Sequence, residues 1–218
     1  MSSTISKTHR DWLYKLLQSQ NIFELLILKE GDVICMTNIP LILINMHGTL
    51  STVKKYTHHK SFIFALSPPN TLLYYKTNES ICYHKVQALT NSYVLAIQKI
   101  SQFNDKIIRN EIRKLELKSL NLHLLYLDSL ILLFTQNTIK KRLVVFLLTV
   151  GKQLGVFSSS DVVINVALPH AYLAEALGTT RVSVTRALLD LKMHFVDVER
   201  RRIVLHNPIA LASYVLKE

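Results

Sequence analysis

Arg181, Val182, Thr185 and Arg186 fall on one side of a helix-spaced run, Gly178-Thr-Thr-Arg-Val-Ser-Val-Thr-Arg-Ala-Leu-Leu-Asp-Leu191. No acidic residue lies among them. An arginine bonds bidentately to O6 and N7 of guanine, and a valine can lie against a thymine methyl. Hydroxyls such as those of Thr180, Ser183 and Thr185 suit phosphate oxygens, which fix register without reading sequence. The chemistry this set predicts is readout of a DNA groove by Arg181, Val182 and Arg186. Two arginines on an ordinary solvated helix hairpin are the alternative. A little further on, Phe195–Glu199 and Ile203–His206 alternate like strands about Arg200, Arg201 and Arg202. Three cations at a hairpin tip can neutralise backbone phosphate.

Other chemistries find little support. Cys35 and Cys82 are the two cysteines, too few for a disulfide framework or a four-ligand cluster. The nine histidines, His58-His59 among them, show no zinc-ligand spacing, so no metal site is expected. There is no phosphate-cradling glycine loop, no Gly-x-Ser-x-Gly and no paired-carboxylate constellation, so no catalytic residues are expected either.

The elements that must position the reading residues are legible around them. Leu173, Ala174 and Leu177 give the inner face of a short helix that Pro169 can start. Gly178 allows a sharp left-handed turn. Thr179 or Thr180 can cap the next helix, whose inner face is Val184, Leu188 and Leu191. This is a helix-turn-helix pattern followed by a wing.

Upstream, Phe23–Ile100 reads as short β-rich runs: 25–28, 33–36, 41–45, 50–53, 62–66, 72–75 and 93–97. They are separated by turn formers such as Glu30-Gly31-Asp32 and Ser67-Pro68-Pro69-Asn70, which suggests an antiparallel barrel or sandwich. A long helix is predicted from about Ser101 to Gln136. In it Leu117, Leu120, Leu124, Leu127, Ile131 and Phe134 recur at alternating spacings of three and four. That seam is coiled-coil geometry and predicts a homodimer, with an intramolecular core helix as the alternative. A second amphipathic helix follows through Leu143, Leu147, Val150 and Leu154 to Gly155, then a strand over 162–168. The fold class expected is α+β in three parts: a β domain at 1–100, a dimerisation helix at 101–139 and a winged helix-turn-helix at 140–218.

Lysine and arginine total 26 against 15 acidic residues, a net charge of +11 that points to a polyanionic partner. Five of the nine arginines lie in the last 40 residues. Mean hydropathy is +0.23, yet Leu120–Phe134 is interrupted by Asn121, His123, Asp128 and Ser129, so no membrane partner is expected. Met1–Asn21 is polar and charged where a secretory signal would be apolar.

With β domain, long helix and winged helix-turn-helix in this order, and with Gly178–Arg186 matching its recognition motif, the chain resembles the CRP/FNR family of transcription regulators. Within that family it looks most like the nitrogen-regulator branch. Arg142-Leu-Val-Val-Phe-Leu-Leu148, Ala174-Glu-Ala-Leu-Gly178 and Arg202-Ile-Val-Leu-His-Asn-Pro-Ile-Ala-Leu211 carry the likeness, as does Val182 after the first recognition arginine. The resemblance implies a homodimer on palindromic double-stranded DNA, RNA polymerase as protein partner and control of nitrogen-assimilation genes. A composition typical of an AT-rich genome fits either cytoplasm or plastid stroma. The same branch resembles its relatives in holding an effector, 2-oxoglutarate, by one β-domain arginine and one long-helix arginine. Here Cys82 and His123 stand at those places, and Lys76 and Lys85 are the cations between Tyr74 and Gln87. Two carboxylates need firm cationic partners, which a cysteine and a neutral histidine do not supply. A regulator that binds DNA constitutively and a non-specific nucleic-acid coat are the rival expectations. A pure protein-interaction module is the third.

Overall fold

The computed structural model describes residues 23–36, 42–56, 61–74, 82–97, 106–192, 195–199 and 201–216. Eight strands open the chain: β1 (Phe23–Leu28), β2 (Val33–Met36), β3 (Ile42–His47), β4 (Leu50–Tyr56), β5 (Ser61–Ser67), β6 (Thr71–Tyr74), β7 (Cys82–Ala88) and β8 (Ser92–Ile97). They form two antiparallel sheets, ordered β1-β8-β3-β6 and β2-β7-β4-β5. The sheets face one another as a jelly roll and do not close into the barrel the strand count suggested. Their shared filling is Met36, Leu43, Leu50, Leu73, Val86 and Val94, each almost fully buried. Period-two alternation accounts for this. In β7, Cys82, His84, Val86 and Ala88 turn inward, while Tyr83, Lys85 and Gln87 alternate to the other side.

Helix α1 (Lys106–Thr135) crosses the outer face of the first sheet. Ile108, Ile112 and Leu115 pack there on Ile42, Ile44, Leu95 and Ile97. The Ser119 hydroxyl accepts from the Leu72 N–H at 2.7 Å. Further along, Tyr126 and Leu133 enter the C-terminal core. By length and composition α1 is long and apolar enough to cross a membrane. In the fold its buried positions instead join the two halves of the protein.

Helix α2 (Ile139–Leu154) starts at Thr138, whose hydroxyl accepts the Lys141 N–H at 3.2 Å. Gly155 ends it, though not through the left-handed conformation expected of a terminal glycine: its φ is −75°. A Cβ there would collide with the Gly151 carbonyl and Val162 Cγ1, so close approach demands the glycine. The hairpin β9 (Val156–Ser158) and β10 (Asp161–Ile164) follows, then α3 (His170–Leu177), α4 (Arg181–Lys192), β11 (Val196–Glu199), β12 (Arg202–Leu205) and α5 (Pro208–Leu216). The strand expected over 162–168 is thus cut to four residues. Strands β11-β12-β10-β9 make a third sheet. Beneath it one apolar cluster takes in α2, α3, α4 and α5. That cluster also reaches Val53, Ile63 and Leu66 on the outer face of the second sheet.

Candidate nucleic-acid interface

The turn between α3 and α4 is built from its own residues. Gly178 sits at φ 61°, ψ 41°, and the Thr179 N–H reaches the Ala174 carbonyl at 3.0 Å, closing the end of α3. Of the two candidate caps, Thr180 is the one used. Its hydroxyl accepts the Ser183 N–H at 3.2 Å, and its carbonyl accepts the Val184 N–H at 3.1 Å. The Thr180 and Ser183 hydroxyls also meet at 3.0 Å. Leu173, Ala174 and Leu177 on α3 interlock with Val184, Leu188 and Leu191 on α4, all buried. These are the inner faces that the spacing predicted.

The other side of α4 is open. Arg181, Val182 and Arg186 are exposed, and Leu189 continues the same face one turn on. No acid stands in the first turn. Thr185 is only partly exposed: its hydroxyl donates to the Arg181 carbonyl at 3.0 Å and lies 2.8 Å from Nδ1 of His170. A hydroxyl so engaged is a poor candidate for free phosphate binding. His170, which the motif did not single out, is therefore a neighbour of the outer face of α4. No sequence pattern signals it, because the contact spans two helices.

Beside α4 the hairpin β11–β12 forms the wing. Glu199 pairs with Arg202, so Arg202 opens a strand and the turn is shorter than three arginines. Arg200 lies outside the described residues. Arg201 is exposed and lies 3.4 Å from Glu30 between β1 and β2. At the base of the wing the His206 ring bridges two acids, with Nδ1 at 2.9 Å from Asp161 and Nε2 at 3.0 Å from Asp197. The bond to Asp197, then that to Asp161, raises the His206 pKa above the ordinary imidazole value. The same imidazole holds the Asp161 carboxyl below its usual range.

The seam residues expected on α1 also have a clear setting. Leu117, Leu120, Leu124, Ile131 and Phe134 form an exposed apolar stripe on α1, three of them more than 60% exposed in the single chain. Leu127 is half-buried.

Of the four expected effector residues, the three that are described, His123, Cys82 and Lys85, do not converge. His123 lines a cavity of about 140 Å³ between α1 and β5–β6, together with Thr71, Tyr74, Glu116 and Ser119. Burial lowers its pKa, so the ring is neutral near pH 7. Among the described residues no lysine or arginine lines this cavity. Cys82 and Lys85, three apart on β7, face opposite sides of their sheet. Neither lines the cavity, and Lys76 lies outside the described residues. Lys85 therefore does not share the inner face with Cys82. Among the described residues no group of three acids, histidines or cysteines is placed to hold a metal.

Residues 141–214 match the Crp-like helix-turn-helix domain. The chain is 35% identical over 108 residues to the global nitrogen regulator of Synechococcus elongatus. That match covers 49% of this chain and spans about half the length of the relative, 49%. In fold it is similar to a mutant of CooA from Carboxydothermus hydrogenoformans, with TM-score 0.71 at 20% identity over 98% of this chain and 92% of that one. It is likewise similar to a CRP/FNR family transcriptional regulator of Thermus thermophilus, with TM-score 0.65 at 19% identity over 89% and 99%. At these identities the two structures speak to fold alone. Residues 141–214 thus carry a Crp-like helix-turn-helix domain, and the chain shares its fold with these two solved structures.

Proposed function

We propose that the protein is a sequence-specific DNA-binding transcription regulator that acts as a homodimer and controls nitrogen-assimilation genes. The observation that carries this reading is the acid-free N-terminal half of the outer face of α4, where Arg181, Val182 and Arg186 stand exposed on a fully packed helix pair. Arg181 and Arg186 read guanine edges and Val182 a thymine methyl. Thr180, Ser183 and the wing arginines Arg200, Arg201 and Arg202 hold phosphate, with Thr185 reassigned to bracing α4. The exposed stripe on α1 supports pairing with a second copy. The chain then divides into a β domain (1–100), a dimer helix (101–139) and a DNA-binding part (140–218). A two-fold dimer binds a palindrome with half-sites roughly 34 Å apart. Similarity to the global nitrogen regulator of Synechococcus elongatus supports the nitrogen role, and the proposal extends to RNA polymerase as protein partner and to cytoplasm or plastid stroma as the site of action.

The test is a gel-shift titration against a palindromic promoter site and a scrambled control, at about 150 mM salt where the Debye length is about 8 Å. It is run with and without 2-oxoglutarate. Preference for the palindrome is expected. Arg181→Ala should cost about 1–3 kcal/mol and relax selectivity at one base pair, whereas Arg201→Ala should weaken all sequences alike. Equal binding to the scrambled duplex would overturn the reading. A second reading, a regulator with a degenerate effector pocket, is favoured by the cavity at His123, which has no lysine or arginine lining it among the described residues. It predicts DNA binding indifferent to 2-oxoglutarate, and a strengthened complex would refute it.

A further inference from the structure

One end of the jelly-roll interior gathers soft donor atoms. On β7, Cys82 and His84 stand two residues apart and both turn inward, 7% and 8% exposed. On the neighbouring strand β2, Met36 is the register partner of His84 and is 1% exposed within the shared filling of the two sheets. Register partners project from the same face of their sheet. The three side chains therefore enter one interior from two adjacent strands. Alternate residues on a strand lie about 6.6 Å apart, and the Cβ atoms of register partners about 4.5–5.5 Å. The methionine thioether, on three rotatable bonds, spans the longer diagonal to Cys82. A thiol, an imidazole and a thioether are thus within reach of one point.

The surroundings select the ion. Strands β2, β4, β5 and β7 carry no aspartate or glutamate, so this sheet offers no carboxylate to magnesium or calcium. On β4, Lys54 and Tyr56 are the register partners of His84 and Cys82. The Lys54 ammonium lies 5.3 Å from the centre of the Tyr56 ring. A lysine near a cysteine favours the thiolate. A monovalent cation on one thiolate, one neutral imidazole and one thioether makes a site of zero net charge. A divalent cation would leave a positive charge uncompensated in the interior, on the same face as the lysine, which is costly. Thiolate and thioether together suit Cu(I), whereas a thioether stands outside the usual zinc donor set. We propose that Cys82, His84 and Met36 form a Cu(I) site inside the β domain. Binding makes the copper–sulfur bond at Cys82 and releases the thiol proton to solvent. The site needs neither DNA nor a second copy of the chain.

The test is a competition for Cu(I) between the full chain and a chromophoric chelator, in the absence of oxygen and with ascorbate present. It is run on Cys35→Ser protein, because Cys35 is an exposed thiol on the opposite side of β2 from Met36. One Cu(I) per chain is expected, with X-ray absorption showing two sulfur neighbours and one nitrogen. In that background Cys82→Ser should abolish binding. Met36→Leu keeps the volume and removes the donor. It should weaken binding by more than the roughly 10–100-fold that loss of an outer-shell partner costs, while the protein keeps a cooperative melting transition. Where Cys82→Ser does not fold, Met36→Leu and His84→Gln decide the matter. Cys35→Ser protein that yields all its copper to the chelator overturns the inference. Copper held equally well by the Met36→Leu and His84→Gln proteins is adventitious and overturns it too. Zn(II) retained in preference to Cu(I) overturns the choice of ion.

Discussion

Two buried tyrosines should respond to the same substitution with opposite signs. Tyr126 on α1 is 1% exposed, and among the described residues its hydroxyl has no hydrogen-bond partner. Burial, then the nearby Tyr172 hydroxyl, pushes its pKa far above the ordinary value. Tyr172 on α3 is also buried, but it donates to the Ser51 hydroxyl on β4 at 2.9 Å. In the unfolded chain both phenols are hydrated. Folding therefore costs Tyr126 its partner outright, about 1–3 kcal/mol for a buried unsatisfied group. Tyr126→Phe removes that cost and keeps the ring, so it should stabilise by about that amount. Tyr172→Phe leaves the Ser51 oxygen stranded at 0% exposure and should destabilise by a similar about 1–3 kcal/mol. At roughly 2–4 °C per kcal/mol for a chain of this size, a 2 kcal/mol change of either sign moves the midpoint by roughly 4–8 °C. Scanning calorimetry at pH 7 measures both. A Tyr126→Phe protein that melts below wild type would refute the reasoning, because its hydroxyl would then have been bonded in solution.

Gly178→Ala should lower stability by about 1–2 kcal/mol through the left-handed backbone alone, since a Cβ there meets Phe134 at an ordinary 3.6 Å. A loss of several kcal/mol in chemical denaturation would mean the turn is tighter than described. His206 has a raised pKa, so its bridge contributes fully below the ordinary imidazole value and fades as pH rises through the raised one. Asp161, with a lowered pKa, contributes above its ordinary value and is lost only in stronger acid. The melting difference between wild type and His206→Gln should therefore be largest near pH 5–6 and shrink by pH 9. A difference constant over that range would exclude the bridge as its source. Leu124→Glu places a charge in the exposed stripe of α1 and should convert dimer to monomer in sedimentation velocity, and an unaltered dimer would place the interface elsewhere.

Much of this architecture is written in local periodicity. Leu173, Leu177, Val184 and Leu188 repeat at helical spacing, and Gly178 marks the break between them, so the helix pair and its inner faces were legible while the choice of cap between Thr179 and Thr180 was not. The runs at 33–36 and 93–97 fall almost on β2 and β8. Strand β7 was missing from the sequence runs because its outward positions, Tyr83, Lys85 and Gln87, dilute the apolar signal to mere alternation. Helix α5 and the hairpin strand β9 escaped for a related reason. Each is short and takes its stability from packing against distant elements, which local propensity does not record. The site shows the same division. That Arg181, Val182 and Arg186 share one exposed face was legible because that face is one helix, whereas the place of His170 beside it was not, because its contact Thr185 lies fifteen residues later.

The way the C-terminal domain rests on the sheets sets what the wing can do. Tyr172 to Ser51 and the apolar cluster shared with Val53, Ile63 and Leu66 are buried contacts, and separating them exposes apolar surface and two hydroxyls together. Arg201 to Glu30, by contrast, joins two side chains that are 79% and 39% exposed, a pair worth about 0–1 kcal/mol. Breaking the pair with Glu30 therefore costs the wing little while the body of the domain stays seated. The orientation of α4 is set by the buried contacts rather than by the surface pair. Coupling between the β domain and the outer face of α4 therefore runs through the shared core, at Ser51 and Val53 of β4, Ile63 and Leu66 of β5, and Tyr126 and Leu133 of α1.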